Sequence, residues 1–324
     1  MTEPGQPRIR IIATGGTIAR TPEGTLTVEA LLDDIRSMPS APDPSDYASL
    51  ELVDVIRTGS EQFTPSEWIQ IARVVQEAAA DESIDGVVVT HGTFTAEETA
   101  YFLHLTVNTS KPIVLVCSQR PHSTLGNDGD RNLVDAIRVA ANGTTSGFGV
   151  MLVINEEIHS ARGVEKTSGR PDGFRSLNTG TLGQVYGDGP AVYRRPRRRH
   201  TESSEFSVPP HFPRVDIVAT YAGADGAAVD ALVARGVDGL VVNGFSFNGM
   251  PHPLQADSLQ AAVFAGVPVV VVNRGGGGRI ARDRYNEPFV RGDDLTAQQA
   301  RVLLGVALAH GVPVDHLQRV FDEY

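Results

Sequence analysis

Apolar residues in this chain gather in short, nearly unbroken runs, and between the runs they recur at helical spacing. The first run, within Arg8-Ile9-Arg10-Ile11-Ile12-Ala13, reads as a strand buried on both faces, because strands of parallel sheets are near-continuous hydrophobic stretches rather than alternations. Asp85-Gly86-Val87-Val88-Val89-Thr90 is a second run of the same kind, and further strands are predicted over residues 112–118 and 148–154. Trp68, Ile71, Val74 and Val75 carry helical spacing through residues 65–80. A helix through Leu105 is predicted behind the second run, with Thr95 and Glu98 as its capping box, and another over residues 132–141. This alternation is the βαβ rhythm of a parallel sheet.

The rhythm breaks at Tyr193-Arg194-Arg195-Pro196-Arg197-Arg198-Arg199-His200 and a Ser/Glu/Pro-rich stretch to Pro213. It restarts with strands predicted over 215–220, 239–243 and 267–273, helices over 228–235 and 258–265, and closing helices over 297–310 and 314–321. The expected architecture is α/β: a larger N-terminal domain (1–192) with a doubly wound, mainly parallel sheet, a solvated linker (193–213), and a smaller C-terminal α/β domain (214–324).

Composition narrows the function more than the fold. The 324 residues exceed the usual size of one domain, which agrees with two. Lys and Arg number 28 against 39 Asp and Glu, a net charge of −11, which disfavours nucleic acid as a partner and makes the arginine run a solvated face rather than an anion-binding patch. No run approaches the about 18 apolar residues of a membrane span. The opening residues lack a basic n-region and an apolar h-region, so a cytoplasmic location is expected, and the single cysteine, Cys117, suits a reducing compartment. The nine histidines show no metal-ligand spacing, Gly15-Gly16 completes no dinucleotide fingerprint, and Gly244-Phe245-Ser246-Phe247-Asn248 lacks the second glycine of a nucleophile elbow.

Chemistry is suggested where the two buried runs end. The first stops at Thr14-Gly15-Gly16-Thr17 and the second at Thr90-His91-Gly92-Thr93. Glycines there let the backbone turn sharply and approach a small ligand closely, and in open α/β sheets ligands bind outside the carboxyl ends of the strands. One glycine pair is an ordinary tight turn; two Gly-Thr ends in one sheet can face a single crevice. The helix start behind Thr93 adds unsatisfied N–H groups beside it.

The elements Thr14-Gly15-Gly16-Thr17-Ile18-Ala19 and His91-Gly92-Thr93-Phe94-Thr95-Ala96-Glu97-Glu98-Thr99-Ala100 resemble the two signatures of the bacterial-type L-asparaginases, and the resemblance extends over nearly the whole chain. It implies hydrolysis of a small-molecule amide, threonine catalysis without metal or cofactor, and a homodimer or homotetramer. By the same resemblance Thr17 corresponds to the nucleophile, Thr93 to the second catalytic threonine, and Lys166 to the catalytic lysine. Ser60, beside Gly59, matches the residue that holds the substrate α-carboxylate; Glu61 falls near the α-amino group; Gly16, Gly92, Phe94 and Ser118 complete the expected substrate-binding set. These residue types suit the chemistry. A threonine hydroxyl needs a neighbour to take its proton, a desolvated lysine can accept one, and backbone N–H groups can stabilise an oxyanion.

Two positions depart from the family pattern. Phe94 stands where the family has an aspartate that anchors the substrate ammonium, and Leu26 is the best match for a tyrosine in the loop after the nucleophile. Both changes run from polar to apolar. They favour a modified or non-amino-acid amide over L-asparagine, which stays possible. A reading from another class, a non-hydrolytic binding or regulatory protein on the same scaffold, leaves unexplained why Thr17, Thr93 and Lys166 are all present.

Overall fold

The structure, a computed structural model, describes residues 5–324. It divides into two compact units: the described residues up to Ser176 with Gly180–Val208, and Leu177–Thr179 with Pro209–Tyr324.

The first unit is built on an eight-stranded sheet. Five parallel strands come first along the chain: Arg8–Gly15, Ser49–Thr58, Gly86–Thr90, Ile113–Val116 and Val150–Ile154. Numbered by that sequence, they lie side by side in the order 2-1-3-4-5, so the chain leaves the first strand toward one edge and returns to its other side. The crevice for a ligand in such a sheet opens at this reversal, between the carboxyl ends of strands one and three. Three antiparallel strands, Glu157–Ser160, Gly183–Tyr186 and Gly189–Val192, extend the far edge.

The central strands are buried on both faces, as their unbroken apolar runs require. Ser49–Thr58 was not predicted from sequence because it is a half-exposed edge strand rich in charge. Its Glu51 pairs with Arg8 and Arg10 at 2.8 and 2.6 Å, which accounts for two arginines inside the first apolar run. Helix Pro65–Ala80 starts on a capping box of Thr64 and Glu67, and Gly129–Ala141 begins three residues earlier than its apolar spacing indicates. Helix Ala96–Thr106 is buried almost all round, so it lies inside the unit rather than on its surface. Its expected capping box is absent: the Thr95 hydroxyl donates to the carbonyl of Ser60 at 3.0 Å and leaves the helix N–H groups without it.

The arginine-rich stretch packs on this unit through 208. Arg195 lies 4.6 Å over the ring of Phe148, and Arg194 Nε donates to the Thr181 carbonyl at 3.2 Å.

The second unit carries a four-stranded parallel sheet, Val215–Ala219, Gly239–Gly244, Val269–Asn273 and Val290–Arg291, in chain order. Its helices are Ala227–Ala234, Pro253–Phe264, Ala297–Ala309 and Leu317–Glu323. Pro253 opens its helix at the first turn, where a missing N–H costs nothing, which moves the start five residues ahead of the apolar spacing. Among the described residues no helix is long and apolar enough to cross a membrane.

One buried hydrogen bond ties the two site-bearing strands together. Thr14 Oγ1 donates to the carbonyl of Thr90 at 2.7 Å, and Thr14 is fully buried. Thr14→Val keeps the shape and removes the donor, so it should lower stability by about 1–2 kcal/mol, read as a shift in the denaturant midpoint at unchanged slope.

Candidate active site

Two glycine turns create the site by letting backbones touch. Gly15 and Gly16 hold φ of 85° and 89°, a region that favours glycine. A Cβ on Gly16 would stand 2.5 Å from the Cα of Gly92, and one on Gly92 would stand 2.6 Å from Ser60 Oγ. The ends of the first three strands are thereby pressed together. Thr17 and Thr93 each follow one of the touching glycines by a single residue. Thr17 opens a short 3-10 turn, Thr17–Ala19, half-buried, and among the described residues its hydroxyl has no hydrogen-bond partner.

Thr93 is buried, and its hydroxyl receives a hydrogen bond from Lys166 Nζ at 2.6 Å. Lys166 sits on the two-residue strand Glu165–Lys166, which pairs with Phe174–Arg175. Burial lowers its pKa from the usual lysine range. The ring of Phe94 lies 4.6 Å from Nζ, yet Phe94 itself is 64% exposed, so the aromatic face screens the amine from the solvent side.

The backbone of the lysine is held as well. Glu97, in the first turn of Ala96–Thr106, accepts the Lys166 N–H at 2.5 Å through a nearly buried carboxylate. Burial, with a smaller push from Glu98 and Glu165, raises the pKa of Glu97 to about 7. Sequence reading missed Glu97 because two glutamates at a helix start look like an ordinary favourable interaction with the helix dipole.

His91 is fully buried, and burial lowers its pKa to about 4. The neutral ring therefore donates from Nδ1 to the Gly92 carbonyl at 2.7 Å, and meets Phe63 edge-on at 5.0 Å.

Ser60 is buried beside Gly92, and its Oγ accepts the Phe94 N–H at 3.2 Å. Glu61 is exposed, with its carboxylate folded over Gly59. Gly16, Gly59, Ser60, Gly92, Thr93, Phe94 and Lys166 thus belong to one contiguous region. Ser118 is fully buried below Gly129 and gives its hydroxyl to the Arg120 carbonyl at 2.8 Å. Leu26 packs on the hydrophobic core of the first unit, its N–H bonded to the Ala19 carbonyl at 2.8 Å. Among the described residues no group of three or more His, Cys, Asp or Glu is arranged to hold a metal ion.

The arrangement can move a proton between a threonine hydroxyl and a desolvated amine, with backbone N–H groups at both glycine turns close by.

Comparison with known proteins agrees with this geometry. Residues 8–198 match the model of the asparaginase N-terminal domain, and residues 214–321 that of the glutaminase/asparaginase C-terminal domain. The chain is 35% identical to L-asparaginase 2 of Bacillus subtilis (98% of this chain, 87% of that protein) and 34% identical to L-asparaginase 2 of Escherichia coli (98% and 93%). A glutaminase-asparaginase of Pseudomonas fluorescens is 35% identical over 97% of this chain and 90% of its own. The crystal structure of a probable cytoplasmic L-asparaginase from Campylobacter jejuni superposes with a TM-score of 0.91 at 35% identity, covering 98% of this chain and all of that one. With both halves of the chain matched, and with the two glycine-threonine turns meeting at the sheet's reversal, the chain belongs to the asparaginase family of amidohydrolases.

Proposed function

We propose that the protein hydrolyses a side-chain carboxamide through an acyl-enzyme on Thr17, with Lys166 as proton acceptor. The contact between Lys166 Nζ and Thr93 Oγ1 is the observation that carries this reading. When Lys166 is neutral the bond reverses, the Thr93 hydroxyl donating to the amine lone pair, and the Thr93 oxygen is then free to take the proton of Thr17. The Thr17 oxygen attacks the amide carbon, the proton returns to the departing nitrogen, and ammonia leaves. Water then cleaves the ester to the carboxylate and restores Thr17. Backbone N–H groups at the glycine turns stabilise the oxyanion in both steps.

L-Asparagine is one substrate on this reading, as the names of the relatives suggest. Phe94 favours an amide without a free α-ammonium. A phenyl ring cannot accept the hydrogen bonds of an ammonium, and here its face is already turned to Lys166. Ammonia release from L-Asn, D-Asn, L-Gln, N-acylated Asn and simple aliphatic amides tests the choice directly. The family reading also gives a homodimer or homotetramer, and several large apolar side chains such as Phe247 and Phe264 are exposed on the single chain. A cytoplasmic location is supported by the lone, buried Cys117.

Thr17→Ala should abolish turnover and leave thermal unfolding unchanged, since this hydroxyl has no partner to lose; activity within a few-fold of wild type removes Thr17 from the role. Lys166→Met should lower kcat by about 10²-fold or more, the usual cost of removing a general base. Phe94→Asp should raise kcat/KM for L-asparagine by about tenfold to a thousandfold, the equivalent of restoring about 1–4 kcal/mol of ion pairing beyond a cation–π contact. The same variant sets an anion beside Lys166, which favours the charged amine, so the rise of rate with pH should move to higher pH. A wild-type enzyme already fully efficient on L-asparagine and unimproved by the change would defeat the argument from Phe94.

A further inference from the structure

We propose that Glu97 is a positioning residue for Lys166: its carboxylate holds the lysine's backbone while Thr93, four residues earlier on the same segment, holds the lysine's amine. The inference rests on the reading of Lys166 as proton acceptor and goes beyond it by naming what keeps that acceptor in place.

The lysine needs such support. It lies 73 residues from Thr93 in sequence, on a strand of two residues whose ladder partner, Phe174–Arg175, is equally short. The hairpin around it is closed by its own bonds, with Thr167 N–H on the Gly173 carbonyl at 2.7 Å and Gly173 N–H on the Arg170 carbonyl at 2.8 Å. These fix its shape and leave its registry against the sheet to other contacts. Gln119 supplies one, at 3.2 Å to the Ser168 carbonyl in an exposed setting. Glu97 supplies another, shorter and less exposed, at 2.5 Å on the lysine's own N–H. Residues 93–97 therefore grip Lys166 at both ends of its side chain, and a shift of Glu97 moves Nζ relative to Thr93 Oγ1.

A buried carboxylate is a costly way to satisfy one N–H, since burial opposes its charge and Glu98 and Glu165 oppose it further. What the carboxylate adds over an amide is a stronger, charge-assisted bond when ionised, favoured by its place in the first turn of a helix. It also adds a titration. The charged groups around it are Glu98 on its own helix and Glu165 and Lys166 on the facing strand; Cys117, whose thiol is kept neutral by burial, faces Lys166. Raising the pH through about 7 ionises Glu97, tightens the bond to the Lys166 backbone and brings the amine into register. The free enzyme should therefore show an inflection near neutral pH in log kcat/KM that belongs to Glu97.

Steady-state ammonia release from L-asparagine, measured from pH 5.5 to 10 on wild type, Glu97→Gln, Glu97→Ala and Lys166→Met, tests the proposal. Glu97→Ala should lower kcat by about 10²-fold, the cost of misplacing a reacting group by about 1 Å, with KM within about threefold. Glu97→Gln keeps an oxygen to accept the N–H and should recover about tenfold of that loss, but its profile should lack the neutral inflection. Wild-type kcat in Glu97→Ala, a change confined to KM, or an inflection retained in Glu97→Gln overturns the proposal. If Glu97→Ala does not fold, the profile of Glu97→Gln decides alone. An active Lys166→Met overturns the underlying reading; an inactive Lys166→Met beside normal Glu97 variants overturns only the role of Glu97.

Discussion

The backbone contact between Gly16 and Gly92 is the constraint on which the site depends. Neither position tolerates a side chain: a Cβ on Gly16 meets the main chain of Gly92, and one on Gly92 meets Ser60. Main chain cannot move aside as a flexible side chain can, so the three strand ends approach only because hydrogen stands where carbon would. That approach sets two threonines, one from each turn, at the sheet's reversal. It also seats Ser60 where its hydroxyl caps the Phe94 N–H. The Thr14–Thr90 bond lies just behind and holds the two central strands in the register that the glycines require. Chemistry at the sheet's edge is thus a consequence of packing one layer below it.

A second level of organisation is long-range. Strands one and three bring the threonines together through the parallel sheet, but Lys166 arrives from a hairpin between two antiparallel strands at the far edge. The desolvated amine is therefore carried by a two-residue strand rather than by the parallel sheet. Burial, the ring of Phe94 and the carboxylate of Glu97 act on it together, the first lowering its basicity and the last opposing that shift.

Much of this was legible in the chain. The central strands announce themselves as apolar runs because both faces are covered, and Gly-Thr at two strand ends marks the crevice. The edge strand Ser49–Thr58 was hidden, since its charges serve salt bridges to Arg8 and Arg10 and break the apolar pattern. The short antiparallel strands beyond Ile154 carry too few residues for a period to show. Thr95 misled: its spacing to Glu98 fits a capping box, but its hydroxyl is drawn to the Ser60 carbonyl, a partner 35 residues away that no local pattern reveals. Glu97 and the burial of Ser118 belong to the same class, roles set by tertiary neighbours rather than by spacing. Leu26 shows the converse, a loop position whose apolar character serves the core.

Phe94 adds a consequence for how such a site can diversify. Its side chain is largely outside the core, and only its ring face meets Lys166. Little of the fold's stability passes through it, whereas its ring is a direct neighbour of the Lys166 amine. Natural selection can therefore exchange this one side chain, aromatic for acidic or the reverse, and change the immediate surroundings of the lysine's amine without having to repair the scaffold elsewhere.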